Sequence, residues 1–282
     1  MKFPKAPPPP LSDRFRGRPT LDASKCASCS ASKAGSPCAA SEACPTGALQ
    51  SGSGAAAISL DLGKCLFCAD CQTACPQGAI SFTKDYRLAV RERTDLLLAA
   101  GARDLKIADE PKLAAELKLA VELDLKMKKL LGRSLKLRQV SAGGCGACEA
   151  DCNVLTTIGW DLGRFGIQFV ASPRHADGLL ITGPVTKNME LALRKTYDAV
   201  AEPKIVIVVG SCAIAGGPYA GRDECLGGAG DLELESGNLK VDLFIPGCPP
   251  NPLTILDGLL RLLGRIDDSP RGRAARKEDE LR

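Results

Sequence analysis

Cys65, Cys68, Cys71 and Cys75, the last followed by Pro76, have the spacing C-x2-C-x2-C-x3-C-P. In such a loop three thiolates close one iron–sulfur cluster and the fourth reaches a neighbouring one. The chemistry this implies is electron transfer. A looser run precedes it, Cys26-x2-Cys29-x8-Cys38-x5-Cys44-Pro45, so two clusters are implied. The ends of the two runs repeat one another as Cys44-Pro45-Thr46-Gly47-Ala48-Leu49 and Cys75-Pro76-Gln77-Gly78-Ala79-Ile80, an internal duplication.

A third set of four emerges when the remaining cysteines are placed against the apolar runs. Cys145 and Cys148, in Gly143-Gly144-Cys145-Gly146-Ala147-Cys148, follow a predicted strand at 135–140. Cys212 follows one at 204–209 and Cys248 one at 241–245. The carboxyl ends of strands are where open α/β sheets build their sites, so these four can converge. Four thiolates accept either zinc or an iron–sulfur cluster. Gly143, Gly144, Gly146, Gly210, Gly216, Gly217 and Gly247 favour the cluster, because they let backbone approach a bulky group and aim N–H donors at its sulfurs. Of the 14 cysteines, Cys152 and Cys225 are left over and read as a small buried thiol and a loop thiol.

The elements that must hold these residues divide the chain. Residues 1–20, with Pro7 to Pro10, form an extended lead. Residues 21–85 hold eight cysteines, with strands expected at 57–60 and 80–83, and fit a small α+β two-cluster domain. From 86 to 134, Leu, Ala, Lys and Glu dominate, and Leu113, Leu117, Val121 and Leu125 recur four apart, which predicts a helical connector. Leu117 to Leu125 also alternate with period two, the pattern of a strand. Residues 135–265 alternate strands (135–140, 167–170, 179–182, 204–209, 241–245) with helices (153–162, 186–200, 251–263), as in a parallel sheet covered on both faces. Residues 266–282 are a charged tail.

Composition excludes some classes. The formal charge is only +4 and no basic face is interleaved with aromatics, so nucleic acid is not an expected partner. The chain is too long for a disulfide scaffold, and no apolar run reads as a signal peptide or reaches the roughly 20 residues of a membrane crossing. A reducing compartment is expected.

The segments Gly144 to Asp151, Ser172 to Asp177, Thr182-Gly183-Pro184-Val185-Thr186, Gly210-Ser211-Cys212-Ala213 with Gly216-Gly217, and Pro246-Gly247-Cys248-Pro249-Pro250-Asn251-Pro252 resemble the small subunit of energy-converting, membrane-associated [NiFe] hydrogenases, including that of formate hydrogenlyase. The same block is similar to the complex I subunit that holds its terminal cluster. In complex I relatives the first ligand position resembles two adjacent cysteines, whereas Cys145-x2-Cys148 looks hydrogenase-like. The resemblance implies a flavodoxin-like sheet and one [4Fe–4S] cluster on Cys145, Cys148, Cys212 and Cys248, facing the active site of a large catalytic subunit of [NiFe] type. It also implies integral membrane subunits, a soluble redox donor or acceptor or an adjacent iron–sulfur subunit, and a peripheral position on the cytoplasmic face of the inner membrane. The front domain resembles two-cluster bacterial ferredoxins. Its crossover rule implies one cluster on Cys65, Cys68, Cys71 and Cys44 and the other on Cys26, Cys29, Cys38 and Cys75, making three [4Fe–4S] clusters in all.

The expected role is an electron relay between the front domain and a partner's catalytic centre, with no catalytic residue in this chain. Glu149, beside a cluster ligand, is a candidate proton relay and equally an acidic cap on a helix first turn, and Asp151 shares that second reading. Arg174 and His175 read as surface groups or partner contacts. Gly143-Gly144-x-Gly146 lacks the lysine of a phosphate-binding loop. Two other functions fit the residues: a complex I-like quinone oxidoreductase or nickel-free relative, and a non-enzymatic ferredoxin or zinc scaffold. The leucine rows of the connector require a docked segment. Limited proteolysis of the assembled complex should therefore spare residues 100–130, and rapid cutting there would refute docking.

Overall fold

Two short antiparallel pairings bracket the front cysteines. In chain order the elements are β1 (Pro19–Leu21), α1 (Ala23–Ala27), α2 (Ala39–Glu42), β2 (Leu49–Ser51), β3 (Ile58–Asp61), α3 (Asp70–Ala74), β4 (Ile80–Phe82) and β5 (Leu97–Ala99). β1 pairs with β4 and β2 with β3. The duplication in the sequence is one turn built twice: Gly47 N donates to Cys44 O and Gly78 N to Cys75 O, both at 3.2 Å, and each turn delivers a buried Ala-Leu or Ala-Ile pair into a strand. The structure, a computed structural model, describes residues 3–4, 6–27, 38–51, 58–99, 134–234 and 237–264. Cys29, the leucine rows at 113–125 and the tail at 266–282 lie outside the described residues.

The segment from 86 departs from the expected helix. Residues 93–96 form a single 3-10 turn and β5 joins β3 antiparallel, as the third strand of the β2–β3 sheet. Leu96 and Leu98 are buried, and Arg93 is held by a bidentate pair with Asp61 (2.6 and 2.8 Å), so apolar burial and a charged anchor override helix propensity here. β1 likewise begins inside the expected lead, at Pro19.

The rear half contains β6 (Leu135–Ser141), α4 (Ala147–Val154), β7 (Ile167–Phe169), β8 (Gly178–Thr182), α5 (Lys187–Ala199), β9 (Ile205–Val209), α6 (Ser211–Ala215), β10 (Leu243–Ile245) and α7 (Pro252–Leu262). The sheet is parallel throughout, in the order β7-β6-β8-β9-β10. Counting its strands along the chain, that is the 2-1-3-4-5 order of a flavodoxin-like fold, with its switch point between β6 and β8. Burial on both faces explains the unbroken apolar run of β9. Ile205, Ile207 and Val209 pack with Leu256, Leu259 and Leu260 of α7, while Val206 and Val208 share a cluster with Leu193 of α5. That second cluster continues through Ile214, Phe244 and Val90 to Leu60 and Ile80 of the front domain.

The helix expected at 153–162 instead runs from Ala147 to Val154. The hydroxyls of Thr156 and Thr157 donate to the carbonyls of Asn153 and Val154, both at 2.7 Å, and close the helix where the pattern suggested it should begin. α7 starts as expected, with Asn251 Oδ1 accepting from Leu253 N at 2.9 Å and Pro252 in the first turn. No helix among the described residues is long and apolar enough to cross a membrane.

Several contacts fasten the front of the chain to the rear. Phe3 is buried in the α7 cluster and its carbonyl accepts from Arg164 Nη2 at 2.8 Å. Within the front, the Lys84 ammonium donates to the carbonyls of Ser12, Asp13 and Phe15, at 2.8, 2.7 and 3.0 Å. Val90 and Phe244 exchange backbone hydrogen bonds at 3.0 and 2.8 Å.

On α7 an ion pair is buried whole. Arg261 Nε and Nη2 donate to the two carboxylate oxygens of Asp257, at 2.7 and 3.1 Å. Removing one member of such a pair leaves a buried charge without its counterpart, at a cost of about 3–5 kcal/mol. Asp257→Leu should therefore lower the thermal or denaturant midpoint sharply, and Asp257→Leu combined with Arg261→Met should recover most of the loss. A single substitution without effect would show that the pair contributes nothing.

Candidate functional site

The register of the sheet builds the rear site. Ser141 lies opposite Thr182, Thr182 opposite Val209, and Val209 opposite Ile245, so four parallel strands end abreast. The chain leaves β6 into the loop of Cys145 and the first turn of α4, where Cys148 sits. Cys212 and Cys248 each come three residues after the ends of β9 and β10. Cys145 and Cys248 are exposed, and Cys148 and Cys212 half-buried.

The electrostatics tie the four together. Burial raises the Cys148 thiol, reinforced by Glu149, Cys152, Cys212 and Cys248. Cys212 is pushed up to about 11, first by burial and then by Cys248, Cys145, Cys225 and Glu149. Cys248 rises through partial cover of its thiol and the nearness of Cys145 and of Cys68 in the front domain. Each sulfur disfavours its neighbours' charged form, so all four would be thiolates together only with a cation among them.

Backbone stands close behind two of these sulfurs. A Cβ on Gly210 would lie 2.5 Å from Cys148 Sγ, and one on Gly217 would lie 2.7 Å from Cys212 Sγ. Both glycines also have positive φ, +93° and +54°. Among the described residues no three Cys, His, Asp or Glu side chains gather as a single metal ion requires. A zinc site draws four sulfurs to about 2.3 Å from one point. A four-iron cluster instead gives each thiolate its own iron, and the space that the glycines leave behind Cys148 and Cys212 suits a bulky group.

In the front domain Cys65, Cys68, Cys71 and Cys44 act on one another's charge. Cys65 is pushed up to about 12, by burial first, partly offset by the Phe67 amide, then by Cys71, Cys44 and Cys68. Cys71 is pushed up to about 11 by burial and then by Cys44 and Cys68. Cys68 is raised by burial, with Asp70 and Cys44 adding to it. Cys44 goes the other way. Burial raises it, but the amides of Leu49, Thr46 and Ala48 and the Thr46 hydroxyl outweigh burial and favour its thiolate. The duplicate turn repeats the device, with Ala79 N donating to Cys75 Sγ at 3.3 Å. Cys26 is buried in the same core, and Cys38, immediately before α2, packs half-buried against it with Cys75.

Glu149 lies in the first turn of α4, not before a helix starting near Cys152, and its Oε1 accepts from the buried Thr182 hydroxyl at 2.7 Å. Asp151 lines a cleft shared by Arg14, Phe67 and Cys248, and burial raises its carboxyl. Arg174 and His175 are exposed. Asp177 accepts from Lys136 N at 2.7 Å and ties β8 to β6. Cys152 is fully buried and pushed up to about 12 by burial. Cys225 pairs with Thr186 in a short ladder near Cys212. Sequence reasoning missed Ser211, Thr182 and the amide cradle of Cys44, because none of these contacts leaves a spacing to read.

Residues 145–262 match the family model described as NADH ubiquinone oxidoreductase, 20 Kd subunit. The probable membrane-bound hydrogenase subunit mbhJ of Pyrococcus furiosus is 35% identical over 152 residues, which cover 54% of this chain and 87% of the relative. Among solved structures, a chain of the archaeal membrane-bound sulfane sulfur reductase is 30% identical, with a TM-score of 0.38, over 57% of this chain and 84% of its own length. A chain of an NAD+-reducing [NiFe]-hydrogenase is 22% identical, with a TM-score of 0.36, over 49% and 96%. The front cysteines lie outside the segment that the family model matches.

Filling the space behind the sulfurs tests the rear site by itself. Gly210→Ala or Gly217→Ala should displace Cys148 or Cys212 and lower bound iron by about four per chain, leaving the front domain loaded. Unchanged iron in both variants would separate the rear cysteines from metal binding.

Proposed function

The chain belongs to the NADH ubiquinone oxidoreductase 20 Kd subunit family, and from that premise we propose that it is the iron–sulfur electron-transfer small subunit of a membrane-associated [NiFe]-hydrogenase-type complex. It would relay electrons between a donor or acceptor and a large catalytic subunit. Supporting this reading above all is the in-register edge of the sheet, from which the loops carrying Cys145 and Cys148, Cys212, and Cys248 all leave on one side, their thiols acting on one another's charge.

Cys145, Cys148, Cys212 and Cys248 would hold one [4Fe–4S] cluster. Cys65, Cys68, Cys71 and Cys44 would hold a second, and Cys26, Cys29, Cys38 and Cys75 a third. When bound, such clusters supply one-electron carriers whose potentials depend on burial and on hydrogen bonds to sulfur. The chain's own part is to exclude water from Cys65, to cover Cys148 in part, to give Cys44 its amide donors, and to leave Cys145 and Cys248 exposed as the face a large subunit covers. Glu149, held by Thr182 beside Cys148, is the residue placed to pass a proton at that face. The large subunit is of [NiFe] type, and integral membrane subunits and a redox donor or adjacent iron–sulfur subunit complete the assembly. The chain itself is peripheral, on the cytoplasmic face of the inner membrane.

A second reading, a complex I-like quinone oxidoreductase, is favoured by the family model itself. The large subunit separates the two, since a partner without two pairs of cysteines excludes the hydrogenase.

Anaerobically loaded chain should contain about twelve iron and twelve acid-labile sulfide, absorb broadly in the visible blue, and support hydrogen turnover only with its large partner. Zinc in place of iron, or no iron-based paramagnet after reduction, would end the proposal.

A further inference from the structure

Ser211 is almost fully buried, with 1% of its surface exposed, between the two halves of the chain. Its hydroxyl lies 2.5 Å from the carbonyl oxygen of Cys65 and 3.1 Å from that of Gly247. Its backbone N–H donates to the same Gly247 carbonyl at 2.9 Å. Gly247 therefore keeps a donor without the hydroxyl, whose single proton serves the shorter contact, to Cys65. Ser211 precedes Cys212, and Gly247 precedes Cys248.

We propose that Ser211 is a positioning residue that sets the contact between the front thiol set of Cys65 and the rear set of Cys212 and Cys248. The inference rests on the iron–sulfur reading above. From Cys65 the bonded route to the rear set is one carbonyl, one hydrogen bond, the Ser211 residue and one peptide link to Cys212. It runs beside the nearness of Cys68 to Cys248 and gives the junction a hydrogen-bonded link. Neighbouring packing holds the same junction: Val90 bridges to Phe244, and Gly63 has no room for a side chain because Ile214 Cγ2 would stand 2.7 Å from its Cβ. With clusters bound, each transfer would move one electron from a reduced front cluster to an oxidised rear one, and the Ser211 hydroxyl would keep its proton throughout.

The test uses the full chain, loaded anaerobically with iron and sulfide and reduced by single light-driven electrons, with spectra of rapidly frozen samples followed in time. Ser211→Ala should keep its iron and the reduced-cluster signals of the front and rear sets but slow front-to-rear exchange measurably below the wild-type rate. Ser211→Thr, which retains a hydroxyl, should restore the rate. Wild-type exchange in fully loaded Ser211→Ala would overturn the assignment. So would loss of iron from Ser211→Ala, since the hydroxyl would then serve folding and not contact. A wild-type chain that binds no iron would instead remove the reading beneath it, and this assignment with it.

Discussion

Parallel strands that end level with one another are the constraint from which the rear half follows. A site assembled from residues 145 to 248 needs loops more than a hundred positions apart in the chain to meet, and backbone pairing does this without any contact between the cysteines themselves. Because Ser141, Thr182, Val209 and Ile245 lie side by side, the next few residues of each connection leave at the same edge. That register in turn depends on apolar burial on both faces: a one-residue slip of β9 would exchange Ile207 for Val208 between two packed layers. The hydrophobic core thus fixes where sulfur goes.

The thiols so placed are poised unequally. Desolvation and mutual repulsion hold Cys65, Cys71 and Cys212 protonated, while backbone amides draw Cys44 toward its thiolate. Within the front set, then, Cys65, Cys68 and Cys71 are pushed away from the thiolate while Cys44 is drawn toward it. The amide donors come from the turn after Cys44-Pro45, and the same turn recurs at Cys75-Pro76. What is duplicated is therefore a turn that aims a backbone amide at a cysteine sulfur, as Ala79 N does at Cys75 Sγ.

Much of this was legible in the sequence because its signals are local or periodic. The five strands of the parallel sheet stand within two residues of their expected positions at every end, since continuous apolar runs bounded by glycine and charge allow little else. The cysteine loops fall at strand ends because the strands do. What could not be read was decided by groups distant in sequence. Leu97–Ala99 becomes a strand because β3 offers it an open edge, and Arg93 is pinned by an aspartate 32 positions earlier. The helix at Ala147 was displaced from its expected place because two threonine hydroxyls, which propensity treats as neutral, bond back to its last carbonyls. The junction at Ser211 joins positions 146 apart and has no sequence signature at all.

That junction also explains what continuity of the chain contributes. Among the described residues the polar contacts between the halves include one serine hydroxyl, a two-bond backbone bridge at Val90 and Phe244, and the anchoring of Phe3 by Arg164. Between separate proteins such contacts would have to overcome the full loss of translational and rotational freedom on association. Within one chain the partner's effective concentration is on the order of mM, so modest contacts suffice to hold one orientation. Lys84 strengthens the effect by gathering three carbonyls of the lead, so that the segment running from Phe3 to β1 spans both halves along a defined course. Covalent linkage supplies proximity, the shared apolar cluster supplies adhesion, and the short hydroxyl contact is left to set the registration of Cys65 against Cys212.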